Sequence, residues 1–141
     1  MNSIDALVMG RNTFEKVQTF GQWPYQKMVF VLSNTLSEVP KELVDKVEIV
    51  KGEVRDIISH LNERGYHNLY IDGGKVIQSF LREGLIDELI ITKIPILLGN
   101  GIPLFGKFNF QQQLQHIKTE VFNNALVKSH YIFEEYIDVL F

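Results

Sequence analysis

Leu69-Tyr70-Ile71-Asp72-Gly73-Gly74-Lys75-Val76 is the stretch on which the reading of the fold turns. A short apolar run ends in an acidic residue and two glycines, and a helical pattern starts at once. Val76, Ile77, Phe80 and Leu81 fall on one helical face, and Gly84 stands where the helix should stop. A strand that passes directly into a helix through glycines is the unit from which parallel α/β sheets are built.

The same unit recurs upstream. Ala6-Leu7-Val8-Met9 reads as a buried strand, followed by Gly10 and a helical stretch over residues 12–19. Met28-Val29-Phe30-Val31-Leu32 is the clearest buried strand, ended by Ser33-Asn34. Val47-Glu48-Ile49-Val50 is a short strand ended by Lys51-Gly52. Val54, Ile57, Ile58 and Leu61 then recur at i, i+3, i+4 and i+7, an amphipathic helix with Gly65 as its stop. Downstream, Leu89-Ile90-Ile91-Thr92-Lys93-Ile94 reads as a strand running through Pro95 towards Leu98, followed by a loop over residues 99–106. Residues 116–122 and 125–133 read as two late strands joined at Asn123-Asn124, a hairpin turn. The order β-α-β-β-α-β-α-β-loop-β-β predicts right-handed parallel crossovers, helices on both faces and an antiparallel terminal hairpin.

Composition limits the functions available. The 141 residues suit one domain spanning residues 1–141. A net charge of −3 argues against a general nucleic-acid binder, which needs a basic surface. The absence of cysteine excludes disulfides, thiolate metal sites and a cysteine nucleophile. No apolar run approaches the ~20 residues of a membrane span, and no signal peptide is visible, so a cytoplasmic protein is expected, with no membrane partner. Standard motifs fail. Gly101-Ile102-Pro103-Leu104-Phe105-Gly106-Lys107 begins like a phosphate-binding loop, but Phe108 replaces the magnesium-binding hydroxyl and Pro103 lacks an N–H. The dinucleotide fingerprint and the serine-hydrolase elbow are both missing. His60, His67, His116 and His130 lack zinc-helix spacing, so no metal is expected.

In open α/β sheets ligands bind beyond the carboxyl ends of the strands. Four loops leave those ends: Gly10-Arg11-Asn12-Thr13, Ser33-Asn34-Thr35, Asp72-Gly73-Gly74-Lys75 and Gly99-Asn100-Gly101. Two of them open helices, whose free N–H groups and positive dipole suit phosphate. Glycines let a ligand approach the backbone, Arg11 and Lys75 add charge, and Thr13 and Ser33 offer hydroxyl donors. Glycines end strands and Asp or Thr caps helices in many proteins with no ligand. Several such loops on one edge tilt the reading to a ligand, and two phosphate-suited helix starts point to a dinucleotide.

Taken in order, these residues resemble a known family. Met9-Gly10-Arg11-Asn12-Thr13-Phe14-Glu15 is similar to the cofactor-binding turn of dihydrofolate reductases, and Val31-Leu32-Ser33-Asn34, Val50-Lys51 and Ile71-Asp72-Gly73-Gly74-Lys75-Val76 follow at similar spacing. Ile86-Asp87-Glu88-Leu89, the stretch from Pro95 to Phe105 and Trp23-Pro24-Tyr25 resemble the RibD C-terminal-domain-like branch, which includes the pyrimidine reductases of riboflavin biosynthesis. The resemblance spans about residues 3–134.

It implies a three-layer α/β fold of the dihydrofolate-reductase type, mostly parallel, with a C-terminal antiparallel hairpin. It implies an oxidoreductase moving a hydride from NADPH to a pteridine- or pyrimidine-like heterocycle. Gly10, Arg11, Asn12 and Thr13 would face the phosphates; Leu32, Ser33 and Asn34 the adenosine; Lys51 its 2′-phosphate. Asp72, Gly73, Gly74, Lys75 and Val76 would wrap the diphosphate and nicotinamide side. Arg11 and Lys51 would favour NADPH over NADH. No catalytic residue is nominated: Asp72, at a helix start, is a poor acid and reads as an N-cap, and Glu15 reads as solvated.

The resemblance also places a further strand, a substrate-facing loop and a helix ahead of Asn2. The sheet is therefore expected to hold an open slot or to be completed by a partner chain. A homodimer is expected, with the apolar Tyr136-Ile137-Asp138-Val139-Leu140-Phe141 buried against the domain or the partner. The alternatives are a nucleotide-binding protein without catalysis and a fragment that has lost its substrate side.

Overall fold

The computed structural model describes residues 3–101, 103–105 and 112–133. Its contacts divide the chain into two units, Met1–Glu83 and Gly84–Phe141. Expectations resting on Ile102, on residues 106–111 or on the apolar tail over residues 136–141 lie outside the described residues.

The first unit runs β1 (Ala6–Gly10), α1 (Arg11–Gln18), β2 (Met28–Leu32), a 3₁₀ turn (Lys41–Leu43), β3 (Val47–Val50), α2 (Val54–Glu63), β4 (Leu69–Asp72) and α3 (Gly74–Arg82). Its four strands are all parallel, in the order β3-β2-β1-β4. The continuous apolar runs predicted this, because a central parallel strand is covered on both faces. Residues 6–9 of β1 and 29–31 of β2 are at most 1% exposed.

The register assigns the faces. Leu7, Met9, Val29 and Val31 share one face with Phe14 of α1, Leu43 and Val47, and Trp23, Tyr25, Leu36 and Val39 pack against that cluster. On the opposite face, Phe30 meets the Tyr66 ring edge-on at 5.1 Å, just past the end of α2. Val76 of α3 comes up beneath Gly10. The helices thus cover both faces, as expected. Gly65 ends α2 as read: it adopts φ 94°, the Tyr66 N–H reaches the Leu61 carbonyl at 3.0 Å, and its own N–H reaches Asn62.

One polar clasp fixes where the sheet begins. The Asp5 carboxylate accepts the backbone N–H groups of His67 at 2.9 Å and Asn68 at 2.8 Å, and the Asp5 N–H reaches the Asn68 carbonyl at 2.7 Å. This ties the start of β1 to the start of β4. The bond from Asn68, then that from His67, holds the Asp5 carboxyl below its ordinary value.

The second unit is an antiparallel sheet of β5 (Glu88–Lys93), β6 (Leu114–Phe122) and β7 (Leu126–Phe133), in the order β5-β7-β6. Asn123 (φ 53°) and Asn124 (φ 55°) make the predicted hairpin turn, closed by the Ala125 N–H on the Phe122 carbonyl at 2.9 Å. Positive φ at both central residues is the type I′ geometry that Asn tolerates.

Two expectations need correction. The strand read through Pro95 to Leu98 stops at Lys93, and the Ile96 N–H turns back to the Ile94 carbonyl at 2.8 Å. Proline has no N–H for a ladder. The reading of β5 as another parallel crossover strand also fails, since β5 pairs antiparallel with β7. Among the described residues each sheet therefore ends in strands bonded on one side only: β3 and β4 in the first, β5 and β6 in the second.

Two predictions follow from this architecture. Asp5→Asn should lower stability at pH 7. Because the folded pKa is depressed, the wild-type advantage is present above the ordinary aspartate value of about 3.9 and fades as pH falls through the folded value. Urea midpoints across pH 2.5–7 check this (chosen to span ~3.9); they should converge at the acid end. At Gly73 (φ 98°), an added Cβ would lie 2.5 Å from Thr13 Oγ1, whereas one at Gly74 meets open space. Gly73→Ala should cost about 1–3 kcal/mol, and Gly74→Ala should be neutral or stabilise by up to ~1 kcal/mol, both read by chemical denaturation.

Candidate functional site

The crossover from β1 leads to β2 on one side, and the crossover from β3 leads to β4 on the other. That direction reverses at the carboxyl ends of β1 and β4, the place where ligands bind in open α/β sheets. Both strands pass straight into helices there. Gly10 is the N-cap of α1 and Gly73 the N-cap of α3, and neither helix has a side-chain cap. This corrects the reading of Asp72 as an N-cap: it closes β4, one residue too early to reach the free N–H groups.

The two turns sit against each other. A Cβ at Gly73 would meet Thr13 Oγ1 and lie 3.8 Å from the Gly10 nitrogen, and a Cβ at Gly10 would meet Val76 Cγ2 at 2.9 Å. Glycine is required at both places. Thr13, read as a hydroxyl donor to a ligand, packs on the Gly73 turn.

The electrostatics of these ends are unusual. Neither α1 nor α3 has an acidic residue in its first turn, while α2 has Asp56. Instead the first turns carry Arg11 and Lys75. A cation at a helix N-terminus opposes the dipole, by roughly 0.3–1 kcal/mol at exposed sites. Uncapped N–H groups, glycines and cations together fit an anion.

A cleft of about 470 Å³ opens beside this point, lined by the ends of β2 and β3, the start of α2 and one stripe of α3. Leu32, Val50, Val54 and Val76 give it apolar wall, and Ser33, Asn34, Ser79 and Arg82 give it polar groups. Of the residues read from the sequence, Leu32, Ser33, Asn34, Lys75 and Val76 are brought together here. Lys51 is not: its neighbours Val50 and Gly52 line the cleft and it does not. Gly52, Glu53, Val54, Ser79, Arg82 and Glu83 were missed. The spacing of Lys75, Ser79 and Arg82, i, i+4 and i+7, is the signal that could have found the α3 stripe.

Arg11 lies outside the cleft lining. Its guanidinium pairs with Glu15 at 2.8 Å and donates to Thr35 Oγ1 at 2.9 Å. It thus links the α1 start to the loop after β2. That loop is shaped by Ser33, whose Oγ accepts the N–H groups of Leu36 at 2.9 Å and Thr35 at 3.2 Å. The Ser33 hydroxyl therefore builds the loop, and it also meets the Thr35 hydroxyl at 3.3 Å, where either oxygen can donate. Glu83 is engaged by Arg55 at 2.9 Å, which leaves the Arg82 charge facing the cleft.

Comparison with known proteins agrees with this architecture. A family model described as the RibD C-terminal domain matches residues 1–128. The uncharacterised protein YwjB of Bacillus subtilis is 32% identical over 133 residues, spanning 92% of this chain and 74% of that protein. A crystal structure from Shewanella sp. PV-4, named for riboflavin biosynthesis, shares 52% identity with a TM-score of 0.90, over 94% of this chain and 75% of that one. The deaminase/5-amino-6-(5-phosphoribosylamino)uracil reductase of Thermotoga maritima shares the fold at 14% identity and TM-score 0.73, over 92% of this chain and 45% of that one. From its parallel sheet with glycine-capped helices to these matches, the chain belongs to the RibD C-terminal domain family, with the dihydrofolate-reductase-like fold.

Proposed function

We propose that this chain binds NADPH along the carboxyl edge of its parallel sheet and reduces a pteridine- or pyrimidine-like heterocycle. The observation that carries the reading is the pair of uncapped, glycine-started helices that meet at Gly10 and Gly73 with Arg11 and Lys75 in their first turns. Two helix N-termini side by side match a diphosphate.

The residues present fit the cofactor. Gly10, Asn12, Gly73, Gly74 and Lys75 would hold the diphosphate through N–H groups and charge. The cleft formed by Leu32, Ser33, Asn34, Val50, Val54, Val76, Ser79 and Arg82 suits the adenosine. Arg11, joined to Thr35 beside Ser33, is the cation placed to meet a 2′-phosphate. When bound, the nicotinamide supplies a hydride to the carbon of a C=N bond, and a proton from water completes the new N–H. The protein's part is to orient the two rings and to stabilise the phosphates. Family membership supports a reductase.

A homodimer is part of the proposal. Ile96, Leu97 and Leu98 are 65%, 100% and 78% exposed, an apolar stretch that a partner chain would cover. Among the described residues no helix is long and apolar enough to cross a membrane.

Calorimetric titration tests the cofactor reading. NADPH should bind more tightly than NADH. Arg11→Gln should weaken NADPH by about tenfold or more, the worth of a charged hydrogen bond, and leave NADH nearly unchanged. Lys75→Gln should weaken both. No binding of either cofactor would overturn the reading. Equal binding of the two would overturn the role of Arg11.

A further inference from the structure

Four charged residues line the cleft: Glu53 and Glu83, Lys75 and Arg82. Two of each sign cancel, and such a lining has no preference for an anion. The balance is altered from behind the wall. Arg55 does not line the cleft, yet its Nε donates to the Glu83 carboxylate at 2.9 Å and its Nη2 to the Glu83 carbonyl at 2.6 Å.

This pair is a poor stabiliser of the fold. Both side chains are open to solvent, 63% and 45% exposed, and an ion pair in that setting adds little to stability. Arg55 also stands in the first turn of α2, where a cation opposes the helix dipole. It reaches from there to the C-cap of α3, where a cation is favoured. The guanidinium forks onto the carboxylate and the main-chain oxygen of one residue, and so fixes where the Glu83 charge is held.

Within the cleft the pair has a clearer effect. Arg82, one residue before Glu83, donates at 3.3 Å to the neutral Ser79 Oγ, which itself donates to the Lys75 carbonyl at 3.0 Å. Lys75, Ser79 and Arg82 thus form one bonded stripe along α3 with a cation at each end. With Glu83 answered by Arg55, the lining sets one carboxylate, Glu53, against those two cations.

We propose that Arg55 sets the charge preference of the cleft by holding the Glu83 carboxylate, so that the cleft favours a phosphate-bearing ligand over the same ligand without phosphate. Arg55 touches no ligand in this account. It is a positioning residue that acts through Glu83. The inference rests on the cofactor reading and deepens it, by naming what keeps a cleft with two glutamates receptive to an anion.

Calorimetry with NADPH, 2′,5′-ADP and adenosine tests it, in low and in high salt. The proteins are the full chain and its Arg55→Gln, Arg55→Lys, Glu83→Gln and doubly substituted Arg55→Gln/Glu83→Gln variants. Arg55→Gln should weaken NADPH and 2′,5′-ADP about threefold or more in low salt, less in high salt, and leave adenosine unchanged. Arg55→Lys, which keeps the charge, should lose less. Glu83→Gln alone should bind the two anions at least as tightly as wild type, and adding it to Arg55→Gln should restore their affinity. Melting temperatures should stay close together across the set. Arg55→Gln that binds the anions like wild type would overturn the proposal. A loss shared equally by adenosine, or a loss in Glu83→Gln alone, would also overturn it, since either makes the pair a brace between α2 and α3. Wild type that binds neither NADPH nor 2′,5′-ADP overturns the cofactor reading and this inference with it. Wild type that binds both, with no rescue by Glu83→Gln, overturns this inference alone.

Discussion

Everything about the first unit depends on how closely two backbone turns approach. Gly10 and Gly73 end neighbouring parallel strands and start two helices, and neither position has room for a Cβ. That contact fixes the spacing of the α1 and α3 starts. Neither helix start has a side-chain cap. The arrangement concentrates partial positive charge at one point on the sheet edge, and Lys75 adds a whole charge to it, while Arg11 pairs with Glu15 and reaches Thr35. In the absence of an anion this is unfavourable on dipole grounds. The local electrostatics therefore make sense as half of a complex.

Around that point the sheet separates two kinds of surface. Towards β2, β3 and α3 the cleft is aliphatic with a polar rim, suited to a base and ribose. On the opposite face, over β4, the surface is aromatic and acidic. The strand pleat turns Asp72 to the face of Tyr70 and Met9 just before the chain enters α3.

The sequence carried the local structure well and the pairing less well. β1, β2 and β4 were legible because strands buried on both faces are uninterrupted apolar runs, and Gly65 and Asn123-Asn124 because each has one physical use. The place of β5 was not legible. Leu89-Ile90-Ile91 reads the same whether its neighbour is parallel or antiparallel, and only contact with β7 decides. At the candidate site, the glycine turns stand out in the sequence. Lys51 lies outside the cleft lining and Ser79 and Arg82 lie in it, and local chemistry does not foretell either: which residues face a cleft depends on how helices sit on the sheet. Asp72 was misread because the helix begins one residue later than its capping preference suggests.

The central claim is that the N–H groups at the starts of α1 and α3 form one anion site. Amide chemical shifts in a ¹⁵N-labelled chain titrated with NADPH test it most directly. The account predicts the largest saturable shifts at Arg11, Asn12, Thr13, Gly74, Lys75 and Val76, all following a single binding curve. Shifts confined to one helix start, or scattered over the sheet with neither start affected, would contradict it.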